Sequence, residues 1–142
     1  MIKKKIKKIL VPLDGSKNSI RGLDRAIYIA RQCQATITGL YVVPLPPPKT
    51  DYQLKDMEKY FLKNAAKFMA HAKKRSAQNG ILFYDKVVYG DEGPKIVKYA
   101  VGNKFDLIVI GSRGHGSVKE LFLGSTSNHV LHKAPMPVLI VK

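Results

Sequence analysis

Apolar residues fall into five short runs that indicate strands. The runs at residues 9–11, 106–110 and 137–141 are almost continuously apolar, as is typical of strands covered on both faces of a sheet. Residues 35–43 and 81–89 are rich in Val, Ile, Tyr and Thr, which favour extended backbone. We therefore expect five strands.

Four segments between these runs have the spacing of helices. Residues 18–33 predict a helix with Ser16 as its N-cap, and residues 51–79 predict a long one that ends at Asn79-Gly80, a common C-terminal signal. Gly93-Pro94 starts a shorter helix, since proline is tolerated in a first turn. A fourth helix is expected around residues 126–133.

The alternation of strands and helices predicts an α/β fold. We expect a five-stranded, doubly wound, mainly parallel sheet of order 3-2-1-4-5 with helices on both faces. The ligand crevice of such a sheet lies at the carboxyl ends of the strands where the order reverses, here between the first and fourth strands. The 142 residues show no internal repeat or linker, so a single domain is expected over 1–142.

Composition is that of a folded protein with a strong basic excess. Apolar residues make up 45% of the chain, and 25 Lys and Arg outnumber 10 Asp and Glu, for a net charge of +15. Such a charge attracts polyanions. The basic residues concentrate in segments 3–8 and 55–75, which lack regularly interleaved aromatics. We interpret them as a solvated arm and a solvated helix face, and expect neither nucleic acid nor a membrane as partner.

The single cysteine, Cys33, excludes an internal disulfide, and no Cys/His cluster has zinc-ligand spacing. We expect Cys33 to be a buried helix residue. No run reaches the roughly 18 apolar residues of a membrane span, and residues 9–13 are too short for a secretory signal. A cytoplasmic location is therefore expected.

Two glycine-rich segments carry the candidate chemistry. Residues 111–117 follow the most apolar strand, and consecutive backbone N–H groups in such a loop can form an anion-binding nest. Gly124 and the hydroxyl residues Ser125 and Thr126 precede the fourth helix, whose N-terminus can also bind phosphate. The two segments could hold one polyphosphate. Alternatively, the glycines serve only turns and Ser125 or Thr126 is an ordinary N-cap.

Neither segment matches a common nucleotide motif. Gly111 and Gly116 have the spacing of a Walker A loop, but Ser117 stands where that motif has lysine. The dinucleotide pattern of three glycines after a first strand is also missing.

The pattern Gly111-x2-Gly114-x9-Gly124-Ser125 resembles the Gly-2x-Gly-9x-Gly-Ser/Thr motif of ATP-binding members of the universal stress protein family. The similarity extends over nearly the whole chain. It includes residues 8–16, 40–43, 106–111 and 137–141.

The resemblance implies an adenine nucleotide alpha hydrolase-like fold that binds ATP or AMP. The adenine would lie near Pro12, Leu13 and Val42. Asp14 would be close to the ribose or to a phosphate-bound metal such as Mg²⁺. The ribose and phosphates would be held by Ile110, Gly111, Ser112, Arg113, Gly114, Gly124, Ser125 and Thr126.

Several of these residues allow a second interpretation. Asp14 is also a common helix-initiating turn residue, and Arg113 and His115 could reach a phosphate or point into solvent. His129 and His132 resemble ordinary helix residues. No catalytic set with an identifiable base emerges.

The preferred hypothesis is a regulatory, stress-related protein that binds an adenine nucleotide and is not an enzyme. The alternative is a slow Mg²⁺-dependent ATPase or nucleotide hydrolase in which Asp14 positions the metal and Ser125 contacts the reacting phosphate. A third hypothesis makes polyanion binding by the basic segments primary. The resemblance also implies a homodimer that pairs through Val138–Val141, a strand that would otherwise expose an unpaired edge.

Overall fold

The computed structural model describes residues 5–47, 52–114 and 123–142, and arranges them as alternating strands and helices. Their order is β1 (Lys8–Pro12), α1 (Lys17–Cys33), β2 (Thr36–Val43), α2 (Tyr52–Gln78), β3 (Phe83–Tyr89), α3 (Glu92–Gly102), β4 (Leu107–Gly111), α4 (Ser125–Lys133) and β5 (Val138–Val141). All nine predicted elements are present, with ends shifted by at most a few residues.

The sheet has the predicted order β3-β2-β1-β4-β5. All four strand pairs in the described part of the chain are parallel. The chain moves outward from β1 to β3, then crosses back to place β4 on the other side of β1. The reversal therefore falls between β1 and β4, as expected, and leaves β3 and β5 at the edges.

Each face of the sheet is covered by two helices. Leu23 and Ile27 of α1 and Met69 of α2 pack on one face, against side chains that include Ile9 and Val109. The opposite face, which includes Leu10, Leu40 and Ile108, is covered by Ile96 of α3 and Val130 of α4. Alternate residues of one strand thus enter opposite cores, which explains why the central strands are apolar at every position.

Local signals at the helix ends agree with the sequence. Ser16 is the N-cap of α1, and its Oγ accepts the backbone N–H of Ser19 at 3.1 Å. Gly80 follows α2 with φ of +75°, a left-handed conformation that glycine adopts without strain. Cys33 was expected to be buried, but it is the last residue of α1 and only half-buried at the margin of the core.

His115, Ser117 and the start of the basic arm lie outside the described residues. Within the described ranges, no helix combines the length and the apolar character needed to span a membrane.

Candidate functional site

A cavity of about 1170 Å³ opens at the carboxyl ends of the strands, above the junction of β1 and β4. Its volume is slightly above the range of about 300–1,000 Å³ that is typical of small-molecule sites. Eleven of the twelve residues predicted from the sequence to bind a ligand line this cavity: Pro12, Leu13, Asp14, Val42, Ile110, Gly111, Arg113, Gly114, Gly124, Ser125 and Thr126.

Asn18, a buried residue at the start of α1, supports the loop after β4 from its buried side. Its Oδ1 accepts the backbone N–H of Arg113 at 2.6 Å and lies 3.4 Å from Ser112 Oγ. Its Nδ2 donates to the carbonyl of Val141 at 3.2 Å. One side chain therefore joins α1, the β4 loop and β5, and fixes the backbone at the cavity floor.

Ser112 is the one predicted site residue that does not line the cavity. It is buried beneath the loop. Its N–H donates to Val141 O at 2.8 Å, and its carbonyl accepts the N–H of Gly124 at 2.8 Å. Ser127 Oγ donates to the same carbonyl at 2.8 Å. The Ser112 backbone thus joins the two glycine segments.

The glycines of the site differ in how much space surrounds them. A Cβ on Gly111 would lie 2.6 Å from Asn18 Oδ1 and 2.9 Å from Asn18 O, and a Cβ on Gly114 would lie 2.6 Å from Asp14 Oδ2. At Gly124 the nearest atom would be Ser112 O at 3.4 Å. A Cβ at Gly111 would therefore collide with Asn18 and one at Gly114 with the Asp14 carboxylate, whereas a Cβ at Gly124 would make only ordinary contacts.

The N-terminus of α4 faces the cavity. Gly124 occupies the N-cap position and has no side chain with which to cap the helix. The first-turn residues Ser125 and Thr126 line the cavity. Backbone N–H groups in this arrangement are donors for an anion, and the helix dipole favours negative charge at the same point.

Asp14 takes the turn role that the sequence allowed, and it also lines the cavity. Its Oδ1 accepts the backbone N–H of Ser16 at 2.9 Å, which stabilises the turn before α1. The residue also lines the cavity opposite Gly114. The turn therefore fixes the carboxylate at the side of the cleft where a ligand would meet it.

A pair of acidic residues forms the rim at the start of α3. Asp91 and Glu92 line the cavity, and Glu92 Oε2 accepts the hydroxyl of Thr126 at 2.9 Å. Burial raises the pKa of Tyr41 in the same cavity, with further contributions from the negative charges of Glu92 and Asp14. The Tyr41 hydroxyl therefore stays protonated and able to donate.

The N-terminal part of α2 forms an aromatic wall that sequence analysis missed. Tyr60, Phe61 and Phe68 line the cavity, and the Phe68 ring packs edge-on against Tyr41 with centroids 5.4 Å apart. The length of α2 was the one sequence feature that could have predicted this wall. α2 has 27 residues and α1 has 17, so α2 is about 15 Å longer and extends over the strand ends.

The histidines of α4 do not contribute to the cavity lining. His129 packs against Gly93, where a Cβ would lie 2.8 Å from the imidazole ring. His132 is exposed in the last turn of the helix. Both are placed as ordinary helix residues.

The described residues include no cluster of three or more His, Cys, Asp or Glu with metal-site geometry. Mg²⁺ is commonly held by one or two carboxylates together with substrate phosphates and water. Asp14 alone would not form a metal site. It fits the role of a single carboxylate ligand to a Mg²⁺ ion whose other ligands are phosphate and water.

Comparison with known proteins identifies the family. The sequence model of the universal stress protein family matches residues 5–142. The chain belongs to this family. A universal stress protein of Bacillus subtilis, YxiE, is 30% identical over 95% of this chain and 98% of its own length.

Solved structures of universal stress proteins share the fold. UspA from Lactobacillus plantarum superposes with a TM-score of 0.89 at 28% identity, covering 98% of this chain and 99% of its own. A universal stress protein in complex with cAMP has a TM-score of 0.78 at 26% identity, covering 98% and 99% of the two chains. These similarities agree with the family shown by the sequence.

Proposed function

We propose that this universal stress protein binds an adenine nucleotide, ATP or AMP, in the cleft above β1 and β4, and that the bound nucleotide regulates a partner in a stress response. The observation that carries the proposal is that the β4 loop and the N-terminus of α4, which has a glycine as its N-cap, line one cavity. A similar universal stress protein in complex with cAMP supports the same ligand class.

The cavity offers different surfaces to the parts of such a nucleotide. Pro12, Leu13 and Val42 provide apolar contact for adenine, and Ile110 and Gly111 lie toward the ribose. Phosphates would meet the backbone at Gly114, Gly124, Ser125 and Thr126, with Arg113 adding positive charge. Thr126 would contribute its N–H, because its hydroxyl donates to Glu92.

Asp14 would hold a phosphate-bound Mg²⁺ or accept from the ribose hydroxyls. The metal would neutralise phosphate charge close to the acidic rim of Asp91 and Glu92. Nucleotides with more phosphates should therefore depend more on Mg²⁺ than AMP does.

Ligand identity is tested first on protein purified without added nucleotide. Heat denaturation should release an adenine nucleotide that chromatography and mass spectrometry can identify. Protein freed of ligand should then bind at least one of ATP, ADP, AMP or cAMP in calorimetric titration. Failure to bind any of the four would rule out the proposed function.

We propose binding rather than turnover as the main role. A slow Mg²⁺-dependent ATPase makes a distinct prediction, namely product release that disappears in Asp14→Asn. Equal release by the variant and the wild type would assign the activity to contamination or to another site.

We also propose that the protein is a homodimer paired through β5. This strand is at a sheet edge, and Leu139 in its centre is 36% exposed. A second β5 would satisfy unpaired backbone groups and cover apolar surface. Light scattering at micromolar concentration should give twice the chain mass, and a monomer would exclude this pairing.

Two broader expectations from the sequence are also proposals. Residues 1–142 would form a single domain, so limited proteolysis should leave one stable core. The protein would act in the cytoplasm, which cell fractionation tests directly.

A further inference from the structure

The two helix layers of the sheet carry very different charge. The sequences of α1 and α2 contain eleven Lys and Arg against three Asp and Glu. Those of α3 and α4 contain three Lys against one Glu. The basic excess of the folded protein is therefore concentrated on one face.

The cations of α1 and α2 form one surface because the helices are neighbours. Both pack on the same side of the sheet, and the Arg75 guanidinium bridges to the Asp24 carboxylate, with Nη2 2.9 Å from Oδ2. We call the exposed cations of this surface the basic helix face. They are Lys17, Arg21, Arg25, Arg31, Lys55, Lys59, Lys63, Lys67, Lys73 and Lys74.

Four of these lysines form a regular row on α2. Lys55, Lys59, Lys63 and Lys67 follow one another at intervals of four residues and are all exposed. Each step advances about 6 Å along the helix. A strand of duplex DNA carries a phosphate about every 3.4 Å of axis, so successive lysines can reach different phosphates of one strand.

Acidic residues do little to neutralise this face. Asp24 is paired with Arg75, and Glu58 accepts the hydroxyl of Tyr89 at 2.9 Å. Asp56 is the third acidic residue of the two helices. The cations of the two helices therefore exceed their carboxylates by eight, eleven against three.

The side chains between the lysines favour nucleic acid over a lipid surface. Exposed positions of α2 include Ala66 and Ala70, which allow a backbone to approach but provide no large apolar row for insertion into lipid. Tyr28 of α1 is 60% exposed, and a tyrosine ring of this kind can stack on an unpaired base.

We propose that the basic helix face binds the phosphodiester backbone of nucleic acid without reading its sequence. This activity is separate from the nucleotide cleft and does not depend on it. It also revises the expectation of a merely solvated α2 surface, because the fold adds the four cations of α1 to those of α2. Phosphate contacts from lysine and arginine give affinity without base specificity.

The test measures anisotropy of a labelled single-stranded RNA and a labelled DNA duplex, each of about 20 nucleotides per strand, between about 50 and about 200 mM salt. We expect binding to at least one of them, weakening steeply with salt. Lys63→Ala/Lys67→Ala should reduce the slope of log affinity against log salt by about 1.4 for a single strand or about 1.8 for a duplex. Alanine favours helix, so the fold should survive.

Arg25→Ala/Arg31→Ala tests whether α1 shares the surface, and should also lower the slope. The matched control is Lys98→Ala/Lys133→Ala, which removes the same charge from exposed positions of α3 and α4 and should leave the slope nearly unchanged. Circular dichroism would show that all three variants keep the fold.

Three results would overturn the proposal. One is failure to bind either nucleic acid at about 50 mM salt. Another is an equal change of slope in the control and in the basic-face variants, which would show that binding depends on the net charge of the protein and not on this face. The third is binding to vesicles containing anionic lipid without binding to either nucleic acid.

Discussion

The two sides of the cleft differ in what they present to a ligand: one presents backbone and the other presents aromatic side chains. On one side Gly111, Gly114 and Gly124 present backbone, and added atoms at Gly111 or Gly114 would collide with the protein itself. We call this side the glycine wall. On the other side Tyr60, Phe61 and Phe68 present side chains to the cavity, and we call it the aromatic wall.

The difference reflects what each side would recognise. A phosphate needs donors at fixed positions, and backbone N–H groups provide them only where no side chain intervenes. A base needs apolar area, which many combinations of side chains can supply. Substitutions in the glycine wall should therefore cost much more binding than truncations in the aromatic wall.

The largest effect is expected for Gly124→Val. The Cβ fits the protein, with its nearest neighbour at 3.4 Å, but the valine methyl groups would occupy space next to the α4 N-terminus. Nucleotide affinity should fall by about 100-fold or more, equivalent to about 2.7 kcal/mol, while stability should fall by only about 1 kcal/mol, because valine is a poorer N-cap than glycine. Calorimetric titration and thermal melting measure the two quantities.

Gly102→Ala provides the control for this substitution. No atom lies within 4 Å of a Cβ at Gly102, so both affinity and stability should stay near the wild-type values. Wild-type affinity in Gly124→Val would show that α4 is not part of the phosphate site.

The next effect is expected for Asn18→Ala, which removes the support of the glycine wall without touching the cavity surface. The substitution removes the Asn18 acceptor of the partly buried Arg113 N–H and one of the two donors to Val141 O, which keeps its bond from Ser112 N–H, at a cost of about 1–3 kcal/mol. Urea unfolding should show this loss, and nucleotide affinity should fall about tenfold. Unchanged stability together with unchanged affinity would mean that the loop holds its shape unaided.

Asp14→Asn separates charge from turn geometry. An asparagine oxygen can still accept the Ser16 N–H, so α1 should begin normally. Affinity for ATP measured with Mg²⁺ should fall about tenfold, and affinity for AMP should change less. An equal loss for both nucleotides would place Asp14 at the ribose instead of at the metal.

Tyr60→Ala tests the aromatic wall. The ring is 64% exposed, so its removal should hardly affect folding and should weaken nucleotide binding by about threefold to tenfold through lost ring contact. A loss as large as that of Gly124→Val would contradict the contrast between the walls.

The smallest effect concerns Tyr41, which lies between the walls. Its pKa is raised above the usual value of about 10, first by burial and then by Glu92 and Asp14. The folded protein therefore holds this proton more tightly than the unfolded chain, and stability should decline as pH rises above about 10. Tyr41→Phe should make that decline shallower in alkaline melting curves, and an identical decline would assign it to other tyrosines.

Local signals predicted most of the fold. The continuous apolar runs of β1, β4 and β5 and the cap at Ser16 depend on neighbouring residues, so they are visible in a single sequence. The glycine wall could also be predicted, because Gly111 and Gly114 lie at and just after the end of one apolar strand and Gly124 directly precedes a helix. Placement of eleven predicted residues around one cavity agrees with that expectation, whereas their binding roles stay predictions.

Features that depend on contacts between residues far apart in the sequence could not be predicted from the sequence alone. Asn18 looked like an ordinary residue of a first helical turn, and its importance arises from bonds to residues 95 and 123 positions away. Ser112 was predicted to hold the ligand, yet folding turns it toward Asn18. The aromatic wall and the basic helix face likewise require knowing which helices are neighbours.

The carbonyl of Val141 accepts hydrogen bonds from both Asn18 and Ser112. The same short strand thus supports the floor of the cleft and forms the edge at which a second chain would pair. A change in β5 on dimer formation would alter the floor of the cleft and thus the affinity for the proposed nucleotide. Thermodynamic linkage then requires that the nucleotide alter the dimerisation affinity in turn. A nucleotide that strengthens assembly by a given factor must itself bind the assembled form more tightly by that factor.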